Sequence, residues 1–223
     1  MLINQYSNFD YEAGVDEAGR GSLAGPVTAS AVIFPKGYKN DKLNDSKKIS
    51  PTLREILRKE IEENAIAYSI VNIGSGTIDK KNILNATFMA MNSALKKLTV
   101  TPQFIIIDGN KFKNHLDIPH KCIIKGDQKY LNIAAASILA KTYRVKFMEN
   151  LHLNHPIYKW HKNKGYGTPH HRKSIIKYGK TNFHRKTYKL KEEQLNTFSI
   201  VRLSGTDLPP SEAAKLEKPG APS

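Results

Sequence analysis

Glu12-Ala13-Gly14-Val15-Asp16-Glu17-Ala18-Gly19-Arg20-Gly21, continued by Ser22-Leu23-Ala24-Gly25-Pro26-Val27, runs into an apolar, β-rich segment that ends at Phe34. Ala13 to Val15 read as a strand, Gly19 to Gly25 as a glycine-rich turn and Val27 to Phe34 as a second strand, which together make a hairpin. Asp16 and Glu17 are adjacent, so on a regular strand their side chains point to opposite faces. For both to serve one site the strand is expected to end or bulge there, with Gly19 and Gly21 supplying the backbone freedom.

Outward from the hairpin, the chain alternates helical and strand patterns. Ser50 before Pro51 gives an N-cap and an N1 proline, and Leu53, Ile56, Leu57 and Ile61 recur at helical spacing, which predicts a helix from Pro51 to Asn64. Tyr68 to Ile73 reads as a strand, Asn82 to Leu98 as a helix, and Thr101-Pro102 breaks it. Phe104 to Ile107 is a continuous apolar strand that stops at Asp108-Gly109, as in a buried strand delivering a polar group at its end. Cys122 to Ile124 is a short strand ending at Gly126-Asp127, and Leu131 to about His152 is one long alanine-rich helix. The expected fold is α/β, a mixed sheet flanked by helices. His155 to Tyr188 reads as short helices and loops. No internal repeat is present.

Charge points to the partner class. The 223 residues hold 35 Lys and Arg against 20 Asp and Glu, a net +15, so a polyanion is the expected partner. The excess is segregated: Leu151 to Leu190 has ten Lys or Arg, six of the eight histidines and no acid. The single cysteine, Cys122, can form no disulfide within the chain, which suits a reducing compartment. The longest apolar run, Ile133 to Ala140, is far short of the roughly 20 residues of a membrane span. The first fourteen residues show no signal-peptide pattern. A cytoplasmic monomer without a membrane anchor is the expectation.

Three strand ends finish in acid: Asp16-Glu17, Asp108 and Asp127. If the strands are neighbours, four carboxylates converge, and like charges at that spacing need cations. Oxygen ligands without paired Cys or His favour Mg²⁺ or Mn²⁺ over zinc, and two such ions about 3.5–4 Å apart form a phosphodiester-hydrolysis site. Each acid also has an ordinary reading: Asp108-Gly109 as a tight turn, Asp127 as a turn or helix-start residue, Asp16-Glu17 as a solvated strand end. Composition and pattern leave both readings open.

The residues also carry a resemblance. Gly14 to Gly21 with Leu23 to Val27 resembles the signature of bacterial ribonuclease HII, a type 2 ribonuclease H. Asn44 to Lys48, Ile107 to Asn110, Lys125 to Asp127, Ala134 to Lys141, Lys164 to Thr168 and His184-Arg185 resemble later blocks of that family, in order, so the similarity covers about Tyr11 to Leu190. It implies a ribonuclease H-like mixed sheet as a catalytic core over residues 1–150, and a basic helical extension for nucleic-acid binding over 151–190. Composition, not the resemblance, sets off a tail over 191–223, disordered or partly foreign to the natural chain: Arg202 to Ser223 holds four of the eleven prolines and no Ile, Asn, Phe or Tyr. It implies that Asp16, Glu17, Asp108 and Asp127 hold two metal ions, Mg²⁺ or Mn²⁺, and are catalytic. Gly19, Arg20, Gly21 and Tyr166 would sense the 2′-hydroxyl at an RNA–DNA junction, while Ser46, Lys47, Lys48, Lys164 and Arg185 would contact the substrate backbone. The implied activity is endonucleolytic hydrolysis 5′ to a ribonucleotide in RNA/DNA hybrids and in DNA duplexes with embedded ribonucleotides. The ends would be a 3′-hydroxyl and a 5′-phosphate, and the purpose ribonucleotide removal from DNA. Two positions depart from the family pattern: Ser22, where proline is usual, and Val145 after Arg144, where aspartate is common.

Two other functions compete on charge alone. One is a non-catalytic RNA-binding module, which has no use for acidic strand ends. The other is a metal-independent ribonuclease in which two of His155, His161, His170, His171 and His184 act as base and acid.

Overall fold

The computed structural model describes residues 2–43 and 50–190; Ser46, Lys47, Lys48 and everything from 191 onward lie outside the described residues. Five strands form one sheet: β1 (Glu12–Ala18), β2 (Val27–Ile33), β3 (Ala67–Ile73), β4 (Phe104–Asp108) and β5 (His120–Ile123). The order is β3-β2-β1-β4-β5, with β1–β2 and β2–β3 antiparallel and β1–β4 and β4–β5 parallel. The expected mixed sheet is therefore present, its hairpin at the centre.

The helices are α1 (Pro51–Asn64), α2 (Ser75–Lys81), α3 (Ile83–Lys96), α4 (Leu131–Asn154), α5 (Trp160–Asn163) and α6 (Pro169–Tyr178). α1 starts where the caps place it: Ser50 Oγ accepts the Leu53 amide at 3.2 Å and Pro51 opens the first turn. α3 is capped by Asn82, whose side chain accepts from the Asn85 amide at 3.0 Å. α2 has no counterpart in the sequence reading, because Gly74-Ser75-Gly76-Thr77 reads as turn chemistry. The helix exists because Ile78 is fully buried and Asp79 accepts the amides of Lys186 and Thr187.

The strand alternation sorts the core into two layers. Ala13, Val15, Ala29, Ala31, Ile105 and Ile107 pack on the α3 side, and Val32 and Phe34 on the α4 side. Burying each isoleucine of β4 contributes roughly 1.5–3 kcal/mol. α4 lies directly on β1 because Gly14 has no side chain: a Cβ there would stand 2.2 Å from the Asn132 carbonyl carbon. Asn132, itself fully buried, donates to the Glu12 carbonyl at 2.9 Å and accepts from the Phe34 amide at 3.3 Å. This fixes α4 across both strands of the hairpin.

One expectation is corrected. β1 neither ends nor bulges at Asp16-Glu17: Asp16 pairs with Ser30, Glu17 with Ala29 and Ala18 with Thr28 in unbroken register. What ends is the pairing on the other edge, at Val15 opposite Ile107. Beyond that rung no strand separates β1 from the end of β4, so carboxylates leaving opposite faces both reach toward Asp108.

Past α4, a small layer of α5, α6 and loops closes over the hairpin turn. The amides of Leu23 and Ala24 donate to the Gly165 carbonyl at 2.8 and 3.2 Å, that of Gly25 to Phe183 at 2.9 Å, and that of Arg185 to Leu23 at 2.8 Å. Its core is a cluster of rings, with Trp160, His171 and His184 at most 1% exposed and Tyr158 stacked on Trp160 at 5.1 Å.

Candidate active site

The acids come together at the open edge between β1 and β4. Asp16 is buried on the α4 side, and its Oδ1 accepts the Glu17 amide at 2.7 Å. Glu17 is mostly covered and pairs with the half-exposed Arg20, Nη1 to Oε1 at 3.2 Å. Asp108, the last residue of β4, accepts the Gly126 amide on Oδ1 at 2.7 Å. Asp127 follows Gly126 in a 3₁₀ turn beyond β5 and is 4% exposed. The Asp108–Gly126 bond is thus what brings the turn bearing Asp127 up against β4.

Electrostatics joins three of these groups. Burial, then repulsion from Glu17 and Asp108, raises the Asp16 carboxyl well above the usual carboxylate range, against a hydrogen bond from Ser137 and the charge of Lys141. Burial also raises Glu17; Arg20 pulls it back and Asp108 pushes it up. Carboxylates held out of water beside one another resist ionisation until positive charge arrives. Among the described residues, no group of three or more His, Cys, Asp or Glu stands close enough together to hold an ion as the side chains are placed.

Beside the acids, the Gly19–Pro26 turn is held from beneath by two buried arginines. Arg185, fully buried, donates to the carbonyls of Gly19 (2.6 Å), Arg20 (2.6 Å) and Gly25 (3.1 and 3.2 Å). Arg144 donates to Pro26 O (2.9 Å), Ala24 O (3.2 Å), Lys164 O (2.8 Å) and Ser22 Oγ (2.7 Å). Burial, and then the neighbouring Arg185, pushes the Arg144 guanidinium down to about 10, so it stays charged at neutral pH. Gly19 has φ +91°, and a Cβ there would stand 1.9 Å from Arg144 Nε. Tyr166 is 45% exposed at the rim, its ring facing the Arg144 guanidinium at 5.5 Å.

With this arrangement described, comparison with known proteins becomes informative. The family model for ribonuclease HII matches residues 13–191. The chain belongs to the ribonuclease HII family. The ribonuclease HII of Christiangramia forsetii is 54% identical over 194 residues, covering 87% of this chain and 98% of that protein; that of Bacteroides thetaiotaomicron is 53% identical, covering 85% and 95%. Among solved structures, ribonuclease H2 from Pyrococcus horikoshii superposes with TM-score 0.71 at 24% identity, covering 84% of this chain and 98% of that one. A ribonuclease HIII, Bst-RNase HIII, solved in complex with Mn²⁺, superposes with TM-score 0.66 at 18% identity, covering 84% and 70%. The structural matches establish the ribonuclease H-like fold. The sequence relatives make the chain a type 2 ribonuclease H, an endonuclease, and remove the reading as a non-catalytic binding module.

The substrate residues expected of a ribonuclease HII distribute unevenly. Arg20 and Gly21 stand at the surface beside Glu17, nothing lies within 4 Å of where a Gly21 Cβ would be, and Tyr166 is exposed on the far side of the turn's Arg144 support. Arg185 is not at the surface: its donors are taken by carbonyls, and it shapes the turn rather than presenting itself to a phosphate. Lys164 is partly exposed and bonded to Glu149 and the His161 carbonyl. Val145 is half-buried on α4 beside Arg144, and among the described residues neither buried arginine forms an ion pair.

Two of the five histidines in the metal-independent alternative, His171 and His184, are taken out of it by their hydrogen bonds. His171 Nδ1 lies 2.9 Å from the Tyr166 carbonyl, which assigns it the proton; Nε2 then accepts from Trp160 Nε1 at 3.0 Å and from His184 Nε2 at 3.2 Å. His184 Nδ1 accepts the Thr181 amide at 2.9 Å. Each ring nitrogen has one role, and all roles require neutral rings. Burial lowers both, His184 to about 3, so neither ring is an acid or base at neutral pH. They are a core.

Sequence reasoning overlooked Arg144, Ser137 and Lys141 as site residues. The signal was available for Ser137, a polar residue inside the apolar run Ile133 to Ala140, where a buried polar group needs partners.

Proposed function

We propose that the enzyme hydrolyses the phosphodiester on the 5′ side of a ribonucleotide, in RNA/DNA hybrids and in DNA duplexes carrying embedded ribonucleotides, leaving 3′-hydroxyl and 5′-phosphate ends. The observation that carries this reading is the meeting of Asp16, Glu17 and Asp108 at one sheet edge, Asp16 buried and the three mutually repelling, in a chain of net charge +15. Asp127, on the turn tied to Asp108, is the fourth member.

The donor set fits hard divalent cations such as Mg²⁺ or Mn²⁺: all carboxylate oxygen, with Asp16, Glu17 and Asp108 repelling one another. Asp16, Glu17, Asp108 and Asp127 would hold two of them. When bound, such ions lower the pKa of a water and stabilise a leaving 3′-oxygen. The chain's own residues do the rest. The turn at Gly19-Arg20-Gly21 brings main-chain atoms next to the acids, where a ribose 2′-hydroxyl can be met by groups without side chains between. Tyr166 presents its ring to the sugar that follows. Cationic groups of the segment from Leu151 to Leu190, Lys164 among them, attract the phosphate backbone and set register rather than sequence. Ser46, Lys47 and Lys48 are assigned the same task on the DNA strand. The reading includes a monomer acting in the cytoplasm; no helix among the described residues is long and apolar enough to cross a membrane.

The test is cleavage of a labelled DNA duplex with one ribonucleotide, in Mg²⁺, Mn²⁺ or EDTA, beside Asp108→Asn and an all-DNA duplex. Expected is metal-dependent cutting 5′ to the ribonucleotide with a free 3′-hydroxyl, lost in Asp108→Asn and absent on all-DNA. Cutting in EDTA, or a cyclic phosphate end, would overturn it.

A further inference from the structure

α4 presents two polar side chains to the back of the acid cluster. Ser137 and Lys141 are one turn apart, on one face of the helix, and Lys141 Nζ donates to Ser137 Oγ at 2.7 Å. Ser137 is fully buried and hydrogen-bonds the Asp16 side chain, with the Lys141 charge also acting on Asp16. A serine hydroxyl has one proton. With Lys141 donating into its oxygen, that proton is directed to the carboxylate of Asp16. Asp16 Oδ1 already accepts the Glu17 amide at 2.7 Å. Two donors from different elements, the β1 backbone and the α4 side chain, therefore fix the carboxylate in one orientation.

We propose that Lys141 and Ser137 form a positioning relay that sets the orientation of Asp16 for divalent-cation binding. Neither touches substrate; each acts through Asp16. The proposal rests on the reading of Asp16 as a metal-holding residue. It places the control of metal affinity on the long helix rather than on the strands bearing the acids, and it explains why a hydroxyl lies within the apolar run of α4 and an ammonium directly after it. Supporting groups of this kind typically change metal affinity by about 10–100-fold when removed.

The experiment uses the full chain without substrate. Mn²⁺ is titrated against the wild type, Ser137→Ala, Ser137→Thr, Lys141→Met and Lys141→Arg, reading the thermal-unfolding midpoint. In parallel, affinity for a fluorescent ribonucleotide-containing duplex is read in EDTA, and kcat and KM are read over a Mn²⁺ series. Expected for Ser137→Ala and Lys141→Met is a half-saturating Mn²⁺ concentration raised by about 10-fold or more. Duplex affinity in EDTA should stay within about twofold, with KM for the duplex unmoved at saturating Mn²⁺. Ser137→Thr, which restores the hydroxyl, should recover most of the Mn²⁺ affinity, and Lys141→Arg part of it. Unchanged half-saturation in both Ser137→Ala and Lys141→Met would overturn the relay while leaving the metal site standing. A wild type whose unfolding midpoint ignores Mn²⁺ and which cuts in EDTA would bring down the relay and the metal reading together. Equal losses of Mn²⁺ affinity and of duplex affinity in EDTA would show a merely structural role and would also overturn it.

Discussion

Trp160 Nε1 donates to His171 Nε2 at 3.0 Å, inside a ring cluster where His184 meets the same nitrogen. The bond needs His171 neutral. Protonating either histidine sets a donor against a donor in a buried site. Folded-state pKa values below the ordinary histidine range mean that, as pH falls from about 6.5 toward 3, the unfolded chain takes up protons that the native one refuses. Stability is then complete above the unfolded pKa and falls with pH through that window, by about 1.4 kcal/mol per pH unit for each such proton. Urea unfolding followed by fluorescence of the single tryptophan at pH 7, 5.5 and 4 should show this decline, and His184→Gln should flatten it. A midpoint constant across that range would refute the assignment.

Arg185→Met should destabilise the protein and disturb the glycine turn together. The Gly19, Arg20 and Gly25 carbonyls lose the guanidinium; Arg20 keeps the Tyr188 hydroxyl and Gly19 a long bond from the Ser22 amide, so Gly25 is the acceptor left without a donor, at a cost of roughly 1–3 kcal/mol. Chemical denaturation should report the first effect and cleavage of a single-ribonucleotide duplex the second. Unchanged stability would mean that water replaces the guanidinium without penalty.

Gly19→Ala probes the same turn from the other side. A methyl group at φ +91° and 1.9 Å from Arg144 Nε displaces the turn or the arginine. A shift of about an ångström in a positioning element can cost about 100-fold in rate. The expected result is a loss of that order in kcat/KM on a ribonucleotide-containing duplex, with circular dichroism close to wild type.

Lys164→Gln separates the backbone-contact reading from a local structural role. Its ion pair with Glu149 is partly exposed, and stability should change by no more than about 1 kcal/mol. If Lys164 meets a phosphate, the slope of log affinity against log salt for a duplex falls by about 1. An unchanged slope assigns Lys164 to the loop alone.

The parts of this fold legible in the sequence were those set by local chemistry. Ser50-Pro51 gave the start of α1, the run Phe104 to Ile107 gave β4 and its acidic end, and the glycines between Ala18 and Val27 gave the hairpin turn. The acid cluster was legible only as a set of strand ends, and there the local rule misled. Adjacent acids on a strand imply a break, whereas the break lies in the neighbouring strand's pairing, which no local pattern records. Arg185 failed for a related reason: in a segment dense with Lys, Arg and His, the one arginine turned inward looks like its neighbours, because its burial is decided by carbonyls 160 or more residues away in the chain. α2 was hidden by its own small residues.

Arg185 holds the carbonyl oxygens of both Gly19 and Arg20, and the chain has no cis peptide bonds among its described residues. In a trans peptide the amide N–H points opposite to its carbonyl. With the two oxygens drawn inward, the N–H groups of Arg20 and Gly21 are turned outward, side by side and next to the carboxylates. Those two donors belong to the main chain, so exchanging the Arg20 side chain leaves them in place, whereas loosening the guanidinium beneath turns them away. Under the proposed function, selectivity at this edge is stored in a guanidinium buried beneath the turn.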